Sequence, residues 1–99
     1  EELEIDGALL GIFPNEQFPV QTRRLHKGDA LLLYTDGFES AFTDPAAPEA
    51  LINELYKKHF AALAGANPRA AFSHLTALLD AQPGSLHQPD DLTALLLTL

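Results

Sequence analysis

Ninety-nine residues make one domain or part of one, long enough to bury roughly 65% of the unfolded surface. A 46% hydrophobic and 20% charged composition excludes a disordered or fibrous chain, and zero cysteines exclude a disulfide framework, a thiolate zinc site and a cysteine nucleophile. Fourteen acidic against six basic residues give a net charge of -8, which argues against nucleic acid and against an anionic membrane surface as partners.

In chain order, residues 1–36 read as strands. Leu9, Leu10, Ile12 and Phe13 form a short apolar run around Gly11. Phe18, Val20, Thr22 and Arg24 alternate with their neighbours and lead into Leu25. Pro14-Asn15-Glu16 is a turn between these runs, and His26-Lys27-Gly28-Asp29 is a second turn. The run Ala30-Leu31-Leu32-Leu33-Tyr34-Thr35 fits a strand buried on both faces, broken by Asp36-Gly37.

Residues 45–82 read as two helices. The first starts near Pro48 and Glu49, carries an apolar stripe of Leu51, Ile52, Leu55, Tyr56, Phe60 and Leu63, and stops near Gly65. The second has Asn67 as cap and Pro68 at the first helical position. Its stripe is Phe72, Leu75, Leu78 and Leu79, and Pro83-Gly84 ends it. Residues 83–91 are a loop, and residues 92–99 are the last strand. Strands followed by helices and a final strand predict an α+β layered domain. No stretch approaches the ~20 apolar residues of a membrane span.

Two acidic sites sit at edges of buried-looking strands. Asp36 closes one strand, and Asp90-Asp91 open the other. If these strands are antiparallel neighbours, the two acidic ends meet. Clustered carboxylates repel unless a cation lies between them, and oxygen ligands suit Mg²⁺ or Mn²⁺. Gly37 fits such a site through positive φ or through close approach. The same residues also fit an ordinary Asp-Gly turn and an ordinary loop. His26, His59 and His74 show no paired ligand spacing, and His87 stands three residues before Asp90. Either Arg23 or Arg24 could reach a phosphate, but alternation puts them on opposite faces.

The string GDALLLYTDGFES at residues 28–40 resembles the Gly-Asp, apolar strand, Thr-Asp-Gly, Glu signature of the PPM-type phosphatases, the metal-dependent protein phosphatases of type 2C. HQPDDLTALLLTL at residues 87–99 is similar to the Asp-Asp-hydrophobic-Thr strand of the bacterial branch typified by stage II sporulation protein E. GALLGI at residues 7–12 resembles that branch's Gly-x-Pro-Leu-Gly segment, with Leu9 in place of proline. The three blocks stand in the family's order.

The resemblance implies an antiparallel β-sandwich flanked by helices. It also implies two Mn²⁺ or Mg²⁺ ions that activate water, with no catalytic side-chain nucleophile. Asp36 and Asp90 match metal ligands. Gly37 matches the residue that shapes the turn. Glu39 and Asp91 match positions that support the ligands or their loop, and Asp29 matches a structural turn. The expected substrate is a phosphoserine or phosphothreonine protein in bacterial signalling, such as an anti-sigma-factor antagonist. An upstream receiver or sensor domain, a cytoplasmic location and homodimerisation or domain swapping of an isolated fragment are further expectations.

One departure stands out. The family's earlier Asp-Gly and Gly-His-Gly motif has no counterpart, and Asp6-Gly7 is only a weak look-alike. Residues 1–99 therefore read as the C-terminal part of the catalytic domain, which agrees with a start at Glu1 and no methionine. As such a part, the chain alone would bind metal weakly and be inactive. The rival expectation is a non-catalytic interaction domain on the same scaffold.

Overall fold

A computed structural model describes residues 1–83 and 90–99; His87 lies outside them. Strand β1 spans Ala30–Tyr34 and strand β2 spans Ala94–Thr98. They pair antiparallel, with Ala30 opposite Thr98, Leu32 opposite Leu96 and Tyr34 opposite Ala94. A short 3-10 helix, Asp36–Ser40, follows β1 at once. Helices α1, Leu55–Ala62, and α2, Pro68–Asp80, fill the long connection between the strands.

Side chains alternate across a strand, so the two faces of this sheet differ. Tyr34 faces the helices. Its ring lies 4.9 Å from Phe60, 5.5 Å from Tyr56 and 6.2 Å from Phe38, and Phe38 meets Phe60 at 5.1 Å. Such tilted and edge-on pairs add to the burial of the rings themselves. Phe38, Ala41, Phe42, Tyr56 and Leu75 form the buried core, with Phe72, Leu78, Leu79, Leu92 and Ala94 packed against it. The opposite sheet face carries Leu31, Leu33, Leu95 and Leu97. Leu33, Leu95 and Leu97 are about half exposed, at 49%, 54% and 49%. The expectation that β1 is buried on both faces is therefore corrected: the helices cover one face only.

Residues 1–29 form no strand, which corrects the reading of two strands there. The turn is present: Gly11 and Asn15 adopt left-handed φ of 79° and 59°. The arms on either side meet through side chains instead of a backbone ladder. Gln21 Nε2 donates to the Glu4 carbonyl at 2.6 Å, and Arg23 Nε pairs with Glu1 at 2.8 Å. Pro14 and Pro19 have no N–H to give to a ladder. The second turn forms as read. Asp29 N–H donates to the His26 carbonyl, and Asp29 Oδ2 accepts from His26 N–H.

α1 begins at Leu55, seven residues after Pro48. Asn53 is the reason. Its N–H donates to the Glu39 carbonyl, its Nδ2 donates to the Phe42 carbonyl, and its Oδ1 accepts from Leu55 N–H. Short polar side chains that capture backbone groups compete with helix. Leu51 and Ile52 are consequently left in a loop, 86% and 66% exposed, and are not part of the helical stripe. α2 starts as the sequence predicts, with Asn67 Oδ1 accepting from Arg69 and Ala70 N–H and Pro68 at the first position. Gln82 ties its end to the loop after the 3-10 helix, donating to the Leu78 carbonyl and accepting from Thr43 N–H.

Phe38 is 2% exposed at the centre of this core. Phe38→Ala is expected to cost about 3–5 kcal/mol in urea unfolding. His59 stacks on Phe42 at 4.4 Å, and burial, then Lys58 and His74, hold its pKa below the usual imidazole value. The folded state therefore binds fewer protons than the unfolded chain at mildly acidic pH. Stability should fall as pH drops below about 6.5, and His59→Gln should flatten that part of a Tm–pH curve.

Candidate metal centre

The end of β1 and the start of β2 are held together by more than strand pairing. Register carries past Tyr34 and Ala94 to Thr35 and Thr93. Thr35 N–H donates to the Thr93 carbonyl at 3.0 Å. The return bond is unusual: Thr93 N–H donates to the Thr35 hydroxyl oxygen at 3.1 Å. The same hydroxyl lies 3.2 Å from the Asp91 carbonyl and 3.5 Å from that of Thr93, and its one proton is best placed for Asp91. The Thr35 carbonyl meanwhile accepts from Phe38 N–H, the first bond of the 3-10 helix.

Gly37 is buried, and its backbone lies directly against Asp91. A Cβ at this position would overlap the Asp91 carbonyl oxygen and come within 3.0 Å of its carbon and 3.1 Å of Leu92 Cδ2. Of the two reasons the sequence offers for this glycine, close approach is the operative one; its φ is not left-handed.

Asp36 sits between Thr35 and Gly37, so both of its neighbours touch the segment that carries Asp90 and Asp91. All three aspartates are exposed. Asp90 Oδ1 accepts from Asp91 N–H at 2.8 Å. Glu39 is exposed on the 3-10 helix and lines a cleft with Ile52, Asn53, Glu54 and Tyr56. Arg23, a candidate for phosphate, is paired with Glu1 instead.

A hard divalent cation takes oxygen ligands and is commonly held by one or two carboxylates plus waters. The donor chemistry of Asp36 and Asp90 fits Mg²⁺ or Mn²⁺ on that basis. No group of three His, Cys, Asp or Glu side chains suited to a metal occurs among the described residues.

A polar cluster lies on the helix side of the same strand end. Lys57 Nζ bonds Glu2 and Glu54, each at 3.0 Å, and Tyr34 donates to Glu2 Oε1 at 3.1 Å. Glu54 and Glu2 hold the Lys57 pKa up, while Lys57 and then Tyr34 hold that of Glu2 down. Burial, then the neighbours Tyr56 and Glu2, push the Tyr34 hydroxyl well above the usual phenol range. This cluster, the Thr35 hydroxyl bonds and the Asn53 bonds join residues far apart in the chain and have no local signature in the sequence. Thr35 alone carries a signal, as the Thr of Thr-Asp-Gly.

Gly37→Ala must push the Asp91 segment away. The expected cost is about 1–3 kcal/mol in urea unfolding, with chemical-shift changes centred on residues 90–93. An unchanged stability and an unmoved Asp91 amide would show that the contact is not tight.

The family described as Stage II sporulation protein E (SpoIIE) matches residues 1–99. No curated protein and no solved structure matches the chain. No helix among the described residues is long and apolar enough to cross a membrane. With the match running from the first residue to the last, and with the Thr-Asp-Gly and Asp-Asp segments clasped at one end of the sheet, the chain belongs to the stage II sporulation protein E family and is a phosphatase-like domain.

Proposed function

We propose that the intact domain removes phosphate from phosphoserine or phosphothreonine in a bacterial signalling protein, using Mn²⁺ or Mg²⁺. The observation that carries this reading is the clasp between residues 35–37 and 91–93, which brings the segments bearing Asp36 and Asp90 to one sheet end. When bound, such cations supply positive charge that activates water and steadies the oxygens of the phosphate.

The chain's own residues have distinct tasks in this reading. Asp36 offers its carboxylate at the point where β1 turns. Asp90 keeps Oδ1 on the Asp91 N–H, which orients the carboxylate and leaves Oδ2 for a cation. Asp91 acts through its backbone: its N–H holds Asp90 and its carbonyl meets Thr35 and Gly37. Glu39 holds Asn53 through its carbonyl and so fixes the start of α1. The half-exposed leucine face of the sheet suits the inner face of a β-sandwich, whose second sheet would come from further sequence of the same domain. A phosphoprotein substrate, a receiver or sensor domain upstream and a cytoplasmic setting belong to the same proposal.

The second reading, a scaffold that binds a partner regulator without chemistry, is favoured by one observation. Two aspartates are a small ligand set, and no third acidic or histidine ligand joins them among the described residues.

One assay separates the two. In the intact domain, Asp36→Ala and Asp90→Ala should each lower Mn²⁺-dependent turnover of p-nitrophenyl phosphate by about 100-fold or more, with the circular dichroism spectrum retained. Activity retained in both variants overturns the ligand assignment. An intact wild-type domain without turnover favours the scaffold reading.

A further inference from the structure

The last rung of the sheet contains a substitution of one oxygen for another. Antiparallel partners in a hydrogen-bonded pair exchange two backbone bonds. Thr35 and Thr93 exchange one: Thr35 N–H donates to the Thr93 carbonyl, but Thr93 N–H goes to the Thr35 hydroxyl. The Thr35 carbonyl, which would complete the pair, bonds Phe38 N–H in the 3-10 helix. A carbonyl directed into a turn cannot also close a flat ladder rung. The hydroxyl takes its place, so the chain can leave the sheet at Thr35 without stranding the Thr93 N–H.

The hydroxyl does a second thing. As it accepts from Thr93, it donates to the Asp91 carbonyl. Asp91 is the residue whose carbonyl also packs on Gly37 and whose N–H holds Asp90. One side-chain oxygen thus links the turn bearing Asp36 to the loop bearing Asp90.

We propose that Thr35 is a positioning residue: its hydroxyl stands in for its own carbonyl in the final rung, and thereby sets the Asp36 turn and the Asp90–Asp91 segment against one another. The inference rests on the metal-centre reading for its consequence, and on the hydrogen bonds alone for its geometry. Serine keeps the hydroxyl and the linkage. Valine keeps the shape and leaves both the Thr93 N–H and the Asp91 carbonyl without this partner.

The test uses the full-length protein and two readouts. The first is amide exchange without metal. Thr35→Val should speed exchange at Thr93 by about tenfold, leave Leu31 and Leu97, which share the ladder's bonded alternation with Thr35 and Thr93, unchanged, and be reversed in Thr35→Ser. The second is Mn²⁺ affinity by titration calorimetry. Thr35→Val should weaken it about 10-fold or more, and Thr35→Ser should stay near wild type.

Wild-type exchange in Thr35→Val, or equal impairment in Val and Ser, overturns the positioning role. Altered exchange with unaltered Mn²⁺ affinity overturns its link to the metal. A wild-type protein that binds no Mn²⁺ overturns the metal-centre reading instead, and the exchange data then decide the clasp by themselves.

Discussion

The structure depends on how closely residue 37 approaches residue 91. No side chain fits between them: a single Cβ on residue 37 would overlap the Asp91 carbonyl oxygen. That approach lets the chain turn sharply out of β1 while the far strand enters alongside it. It also places Phe38, the next residue, in the core. Sheet end, acidic loop and hydrophobic core are therefore coupled through three consecutive residues: Asp36, Gly37 and Phe38. A change at any of them reaches the other two.

The helices make that corner rigid. Tyr34, the last residue of β1, packs with Phe38, Tyr56 and Phe60, so the strand end is gripped from the α1 side. Asn53 and Gln82 tie the connecting loops to the same region through backbone groups. Among the described residues, no buried side-chain nitrogen or oxygen lacks a hydrogen bond. The corner therefore has a packed side toward α1 and an exposed side that carries Asp36, Asp90 and Asp91.

Membership of the stage II sporulation protein E family sets this corner in context. The proposed chemistry asks little of the side chains beyond carboxylate oxygens in fixed positions. A chain without cysteine meets that demand. On the other side of the sheet the leucine face stands about half open to solvent.

Much of this was legible in the residues. The Asp-Gly break after an apolar run, the Asp-Asp pair before another, the Asn67-Pro68 cap and the left-handed turn at Asn15 are local signals, set by backbone sterics and short-range hydrogen bonds. From them the antiparallel pairing of the strand that Asp36 follows with the strand that Asp90-Asp91 precede could be anticipated, since one acidic site ends a strand and the other begins one. What tertiary structure alone decided is who partners whom. The apolar runs before residue 30 have strand-like composition, but composition supplies no partner for their N–H and C=O groups, and they form no ladder. Leu51 and Ile52 have helical spacing, but Asn53 draws its bonds from Glu39 and Phe42, and the helix starts later. The exchange of carbonyl for hydroxyl at Thr35 is likewise invisible in a string of letters. It arises only once Thr93 lies opposite, because a hydrogen bond across 58 positions is fixed by the fold and not by the neighbours in sequence.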